Sequence, residues 1–181
     1  MVLSENNIEL IPFKDVNPNN IRNLYLQWVN DIEVIKTIAS PELYLPKDNH
    51  FIEKSFERFT SPHAMGFFIR YKGSFIGTSK IDKIDNHHSS AEIGIMIGEQ
   101  EYWGKGIATT VFRLLTNYCF EVLELHRVWG GCISINQGMK SVFLKLGFTQ
   151  EACLREAINI NPPNDQTKKF ADSLLFSKLK K

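Results

Sequence analysis

The segment 99-EQEYWGKGIATTVF-112 decides the reading of this chain. Gly104 and Gly106 bracket Lys105, Trp103 stands just before them, and a helical apolar pattern starts at once with Ile107 and Val111. Glycine inside a helix costs about 1 kcal/mol relative to alanine, so the pair signals a backbone that something must approach closely. The preceding 91-AEIGIMIG-98 reads as a strand. The following helix carries Leu114, Leu115, Tyr118 and Val122 on its apolar side. The first turn of a helix has unpaired N–H groups and a partial positive charge, which suits phosphate oxygens. Ala108 keeps the second turn small.

Two familiar phosphate loops do not fit. A Walker loop needs Gly-Lys followed by Ser or Thr, and here Gly106 follows Lys105. A dinucleotide fingerprint needs three glycines within a parallel strand–helix–strand unit, whereas the strands before this loop read as antiparallel. A plain glycine-rich turn stands beside the ligand reading.

Working outward, 8-IELIPFK-14 alternates like a strand, and Ile21, Leu24, Tyr25, Trp28 and Val29 recur at helical spacing. Asp31 is placed to cap a short helix with Ile32, Ile35 and Ile38, and Pro46 and Asp48 precede a third helix bearing Phe51, Ile52, Phe56 and Phe59. Strands follow at 66–71 and 74–81, joined by Lys72-Gly73 as a hairpin, and at 91–98. After the glycine loop and its helix come a strand over 127–134, a helix from Asn136 to Leu146 stopped by Gly147, and two last strands. This order predicts a mixed α/β domain on one sheet, with the whole chain, 1–181, as a single domain.

Composition sets the class. The 181 residues are 43% hydrophobic and 23% charged with a net charge of +1, so nothing argues for a nucleic-acid or membrane partner. No apolar run reaches the roughly 20 residues that span a bilayer, and the first residues do not read as a signal peptide. Cys119, Cys132 and Cys153 are odd in number and lack metal spacing. They read as reduced thiols of a cytoplasmic protein without a metal.

The segment 91–115 resembles motif A of the GNAT superfamily, the acetyl-CoA-dependent N-acetyltransferases. Of the family pattern Gln/Arg-x-x-Gly-x-Gly/Ala, this chain has Trp103, Gly106 and Ala108, departing at the first position. Trp-Gly-Lys-Gly is typical of the branch of ribosomal-protein alanine N-acetyltransferases, and 25-YLQWVNDIEV-34 and 125-LHR-127 resemble that branch too. The segment 136-NQGMKSVFLKLGF-148 resembles motif B. The resemblance implies an α/β fold with a mostly antiparallel sheet of about seven strands flanked by helices, splayed between the fourth and fifth. It implies acetyl-CoA as co-substrate, with pantetheine along Ile95, Met96 and Ile97 and the pyrophosphate on the amides of Gly104 to Thr109. The implied cofactor set is Ile95, Met96, Ile97, Trp103, Gly104, Lys105, Gly106, Ile107, Ala108, Thr109, Asn136 and Phe143. Gly94 and Gly98 read as points of close approach, with bulges as the alternative. Asn136 reads as a pantetheine contact, a helix N-cap, or both. Lys105, Lys140 and Lys145 are candidates for the CoA phosphates or plain surface lysines.

The catalytic set is less regular. Many family members carry Tyr seven residues after the motif B Asn, and relatives in this branch carry Ser three residues after it. Here these positions are Phe143 and Met139. Ser141, two residues on and so on a different helix face, and more weakly Ser134 are the candidates left, and water is the alternative acid. Glu92 is the first choice as general base, with a paired surface carboxylate as the other reading; His87 and His88 are weaker candidates. The partners implied are acetyl-CoA and an amine acceptor, with a homodimer left open. The acceptor reads as a protein or peptide N-terminus; amino-sugar nucleotides and a non-catalytic acyl-CoA-binding domain are alternatives. The family cleft is lined by the first helices, the fourth strand and the last loop. That places Tyr25, Trp28, Tyr44 and the segment 156–170 under consideration.

Overall fold

The computed structural model describes residues 2–38, 45–162 and 165–181. Among them, eight strands form one sheet in the order β1-β2-β3-β4-β5-β6-β8-β7. The strands are β1 (Leu3–Glu5), β2 (Ile8–Pro12), β3 (Met65–Tyr71), β4 (Ser74–Asp85), β5 (Ser90–Ile97), β6 (Arg127–Ile133), β7 (Thr149–Asn159) and β8 (Phe170–Leu179). All neighbours are antiparallel except β5 and β6. Three-residue β1 is one strand more than the sequence suggests, and the expected 8–14 strand ends at Pro12, giving way to a 3-10 turn over Phe13–Asp15.

Local chemistry sets the helix starts. The helices are α1 (Pro18–Asn30), α2 (Ile32–Ile35), α3 (Asn49–Phe59), α4 (Ile107–Glu121) and α5 (Gln137–Lys145). Asn17, Asp31, Asp48 and Asn136 each accept a backbone N–H of the first turn, at α1, α2, α3 and α5 respectively, which satisfies an otherwise orphaned donor. Pro18 takes the first position of α1, where no N–H is needed. At the end of α5, Phe148 N–H bonds Phe143 O and Gly147 N–H bonds Leu144 O, a Schellman closure. Lys72 and Gly73 both have positive φ, 48° and 89°, as a two-residue hairpin turn of type I′ requires.

Each face of the sheet carries a core. Helices α4 and α5 cover one with Val111, Phe112, Leu115, Val142 and Phe143. Helices α1 and α3 cover the other with Ile21, Tyr25, Trp28, Val29 and Ile52 against Phe13 and Phe68. Tyr25 and Trp28 are therefore core residues, and Trp28 donates from Nε1 to Glu99 Oε1 at 2.9 Å. Neither reaches an acceptor site. Tyr44, considered with them, lies outside the described residues.

Two departures from regular pairing position the site. The parallel ladder between β5 and β6 holds at Ser90, Ala91 and Glu92 and then stops, so the strands part from Ile93 onward. On the other side of β5, Asp82 opposes Glu92 and Asp85 opposes Ser90. Two residues of β4 thus face one of β5, a β-bulge, with Lys83 at φ 50°.

Candidate active site

The parted strands open a cleft of about 930 Å³, within the range of small-molecule sites. Gly98 N–H bonds Ile76 O on β4 and Ser89 O accepts Arg127 N–H from β6. By strand alternation the backbone groups of odd residues face β6. Where β6 departs, the N–H and C=O of Ile95 are left facing the gap, while Trp103 Nε1 takes the Ile97 carbonyl at 2.9 Å. Trp103, at the position where the family motif has Gln or Arg, thereby ties the glycine loop to the end of β5. Met96 uses its backbone toward β4, lines the cleft, and packs against the core under α1 and α3.

The glycine loop forms the next wall. Gly104 and Gly106 have φ of 74° and 78°, and a Cβ at either would meet no protein atom within 4 Å. Gly106 is the residue before α4, no side chain caps that helix, and the first helical bond runs from Thr110 N–H to Gly106 O. The N–H groups of Ile107, Ala108 and Thr109 are left for a ligand in the cleft, which all three line. An open anion-binding cradle beside an unpaired strand edge fits a long thioester cofactor with a pyrophosphate. At Gly94, which lines the cleft, a Cβ would lie 2.9 Å from Lys80 Cε, and at Gly98 it would lie 2.1 Å from Trp28 Cγ.

Helix α5 supplies Asn136, Met139, Ser141 and Lys145 to the wall. Asn136 Oδ1 caps the helix by accepting Met139 N–H at 3.0 Å, so the capping reading holds at a residue that also lines the cleft. Ser141 is exposed there. Phe143 is corrected: it is 0% exposed, stacked on Phe176 at 4.6 Å and edge-on to Phe112 and Phe148. It belongs to the core and does not line the cleft. Lys105 also leaves the wall, its Nζ lying 5.1 Å over the Tyr102 ring. Ser134 Oγ accepts Asp172 N–H, tying β6 to β8. His87 and His88 form an exposed turn in which Asp85 accepts the His88 N–H, away from the cleft.

Glu92 lines the far end of the cleft, next to Trp129 of β6. Its carboxylate is 2.8 Å from Lys83 Nζ and 3.6 Å from Lys80 Nζ, so the paired reading is realised within the cleft itself. Behind it, buried Asp82 takes Arg58 at 2.5 Å and Lys80 at 3.0 Å. Burial opposes its ionisation, but Lys80, the Lys83 amide and Arg58 outweigh that and hold Asp82 below the usual carboxylate range. Lys83 Nζ also sits 4.9 Å over the Trp129 ring. The first helices contribute only Val34 and, just past α2, Thr37 and Ile38. No described residue of the loop between β7 and β8 lines the cleft; Pro163 lies outside the described residues.

Sequence reading missed Lys80, Lys83 and Trp129, because the bulge that gathers them depends on pairing across strands. It also missed Cys132 as a wall residue. Burial pushes that thiol up to about 11, leaving it protonated at neutral pH. Cys119, on the buried side of α4, is pushed up to about 12. Among the described residues, no group of three or more His, Cys, Asp or Glu side chains could hold a metal ion. No described helix is long and apolar enough to cross a membrane.

A sheet split between its parallel pair, with a bare helix N-terminus at the mouth of the split, is the architecture of GNAT acetyltransferases. The chain matches the Acetyltransferase (GNAT) domain family over residues 12–149 and belongs to that family. It is 37% identical over 92 residues to YdaF of Bacillus subtilis (strain 168), which bears the name "Putative ribosomal N-acetyltransferase". That match covers 50% of this chain and 49% of YdaF, so the chain spans about half the length of that relative. It is 29% identical over 146 residues to the spermidine N(1)-acetyltransferase of Vibrio cholerae serotype O1, covering 80% of this chain and 77% of the relative. The crystal structure of the microcin C7 self-immunity acetyltransferase MccE, in complex with acetyl-CoA and AMP, superposes with a TM-score of 0.77. It is 26% identical and covers 97% of this chain and 93% of its own.

Proposed function

We propose that this chain transfers the acetyl group of acetyl-CoA directly to a primary amine, and that the amine is the N-terminus of a protein or peptide. The observation that carries the transferase reading is the unpaired edge of β5 running into the uncapped first turn of α4. Acetyl-CoA supplies the activated acetyl thioester. The Ile95 N–H is the donor available to a carbonyl in the gap, a role that needs geometry and no particular side chain. The amides of Ile107, Ala108 and Thr109 receive phosphate oxygens, with Lys145 beside them. Glu92 takes the proton of the attacking amine, and Ser141 Oγ, one of several wall hydroxyls, returns one.

The acceptor reading rests on the charge of the cleft. Glu92 is the one carboxylate among the described wall residues, and two lysines already face it. A polyamine needs several anionic partners, so this wall favours a single amine. The ribosomal relatives by name, YdaF and an Escherichia coli ribosomal-protein-serine acetyltransferase, support the peptide class. The test is a thiol-release assay with acetyl-CoA and a panel of Ala- and Ser-starting peptides, spermidine and UDP-amino sugars. Turnover of peptides alone is expected. Turnover of spermidine or an amino sugar without peptides overturns the acceptor. Cofactor-induced stabilisation without turnover of any amine indicates a non-catalytic acyl-CoA-binding domain.

A further inference from the structure

We infer that Lys83 sets acceptor specificity by selecting peptide N-termini with an acidic residue at the second position; this rests on the peptide reading above. The starting observation is the bulge. In a regular strand Lys83 would point to the face opposite Asp82. The extra residue and a φ of 50° instead bring its Nζ to 2.8 Å from Glu92, on the cleft side. A lysine in the left-handed region is uncommon and carries a conformational cost, and bulges recur where a side chain must be re-aimed at a site.

The cations here are not equivalent. Arg58 and Lys80 are engaged by Asp82, which is itself sealed at 4% exposure. Asp82 takes only the backbone N–H of Lys83, at 2.9 Å; the Lys83 ammonium pairs with Glu92 instead, and its side chain is 60% exposed at the cleft end. An ammonium has three donors, so Lys83 keeps donors for a second anion while it holds Glu92. An amine on Glu92 and a carboxylate on Lys83 would be separated by roughly three hydrogen-bond lengths, about 9 Å at most. The side-chain carboxylate of a second residue lies within that reach of the N-terminal amine. A second-position lysine would instead meet Lys80 and Lys83.

The experiment compares KM and kcat at saturating acetyl-CoA for hexapeptides identical except for Glu, Gln or Lys at position two. Spermidine and a UDP-amino sugar serve as further acceptors. Wild type is expected to prefer Glu over Gln by about five- to tenfold, expressed in KM, with Lys weaker still. Lys83→Asn tolerates the left-handed backbone and is expected to erase the order while keeping the acetyl-CoA thermal shift that reports a folded cleft. Equal KM across the wild-type series overturns the inference and leaves the peptide reading standing. An unchanged preference in Lys83→Asn overturns the assignment to Lys83. Turnover of spermidine or the amino sugar with no peptide turned over, or of nothing at all, overturns both.

Discussion

Replacing Gly106 with alanine isolates the role of the glycine loop. The position has φ 78° and a new Cβ would meet no protein atom within 4 Å, so the variant suffers no clash within the fold. Its cost is conformational, about 1–2 kcal/mol for an L-residue held in the left-handed region. For a chain of this size that lowers Tm by about 2–8 °C, since each kcal/mol is worth roughly 2–4 °C. The same Cβ projects into the space beside the bare amides of Ile107, Ala108 and Thr109, which a phosphate would occupy. Acetyl-CoA at 100 times its wild-type Kd stabilises by about 2.7 kcal/mol, a rise of about 5–11 °C. If the methyl weakens binding about 100-fold, the same concentration gives RT ln 2, about 0.4 kcal/mol, or about 1–2 °C. Thermal unfolding with and without acetyl-CoA reads both terms separately. A Gly106→Ala protein with lowered Tm and the full wild-type ligand shift refutes the placement of the phosphates on this loop.

Three other outcomes follow from named contacts. Glu92→Gln keeps the shape but removes the proton acceptor, so turnover should fall by about 10²-fold with the acetyl-CoA thermal shift retained; unchanged turnover at neutral pH removes Glu92 from the chemistry. Glu151 of β7, clamped by Arg127 of β6 and Ser177 of β8, is held at about 2 against an ordinary 4.5. A depressed folded value contributes stability above the ordinary pKa and loses it as pH falls. The Tm gap between wild type and Glu151→Gln, worth at most about 1 kcal/mol at this exposed site, should therefore be full at pH 7 and narrow from about pH 5 downward; a constant gap refutes the clamp. With maleimide at neutral pH, exposed Cys153 should label first, Cys132 slowly and Cys119 last. Acetyl-CoA should protect Cys132 alone, and equal protection of Cys153 would contradict the cleft's boundaries.

What could be read in the sequence was local. Asp31, Asp48 and Asn136 act within three residues of themselves, and the glycine loop declares itself by the cost of glycine at a helix start. The hairpin at Lys72-Gly73 is of the same kind. What could not be read was set across strands. Leu3–Glu5 is too short to show a period and becomes a strand only because Ile8–Leu10 pairs with it. Lys83 alternates away from Glu92 on paper, and only the register between β4 and β5 turns it back. The spacing from Asn136 assigns Phe143 to the cofactor set. Its depth, however, is decided by Phe112, Phe148 and Phe176, residues from three other parts of the chain. The wall of the cleft was therefore legible where backbone forms it and illegible where side chains from distant strands meet.

The general acid is where these two kinds of information collide. Many relatives carry a tyrosine where this chain has Phe143, so Phe143→Tyr is the obvious attempt to restore one. The packing argues against it. The Phe143 ring is stacked on Phe176, and an ideal Cβ on Gly130 would lie 3.1 Å from its Cζ, which places that carbon hard against the β6 backbone. A hydroxyl there needs space that is already filled. Overpacking a core costs about 1–3 kcal/mol, or about 2–12 °C of Tm here, and no gain in turnover is expected. Ser141 lies two residues earlier, on the exposed side of α5 within the cleft wall, and Ser141→Ala leaves the core untouched. If its hydroxyl returns the proton, turnover falls by about 10²-fold with the Tm unchanged. A faster Phe143→Tyr enzyme with unaltered Tm would mean that the ring reaches the cleft after all. An unaffected Ser141→Ala enzyme would remove Ser141 from the proton's return and leave it to solvent or to another wall hydroxyl, such as that of Tyr102.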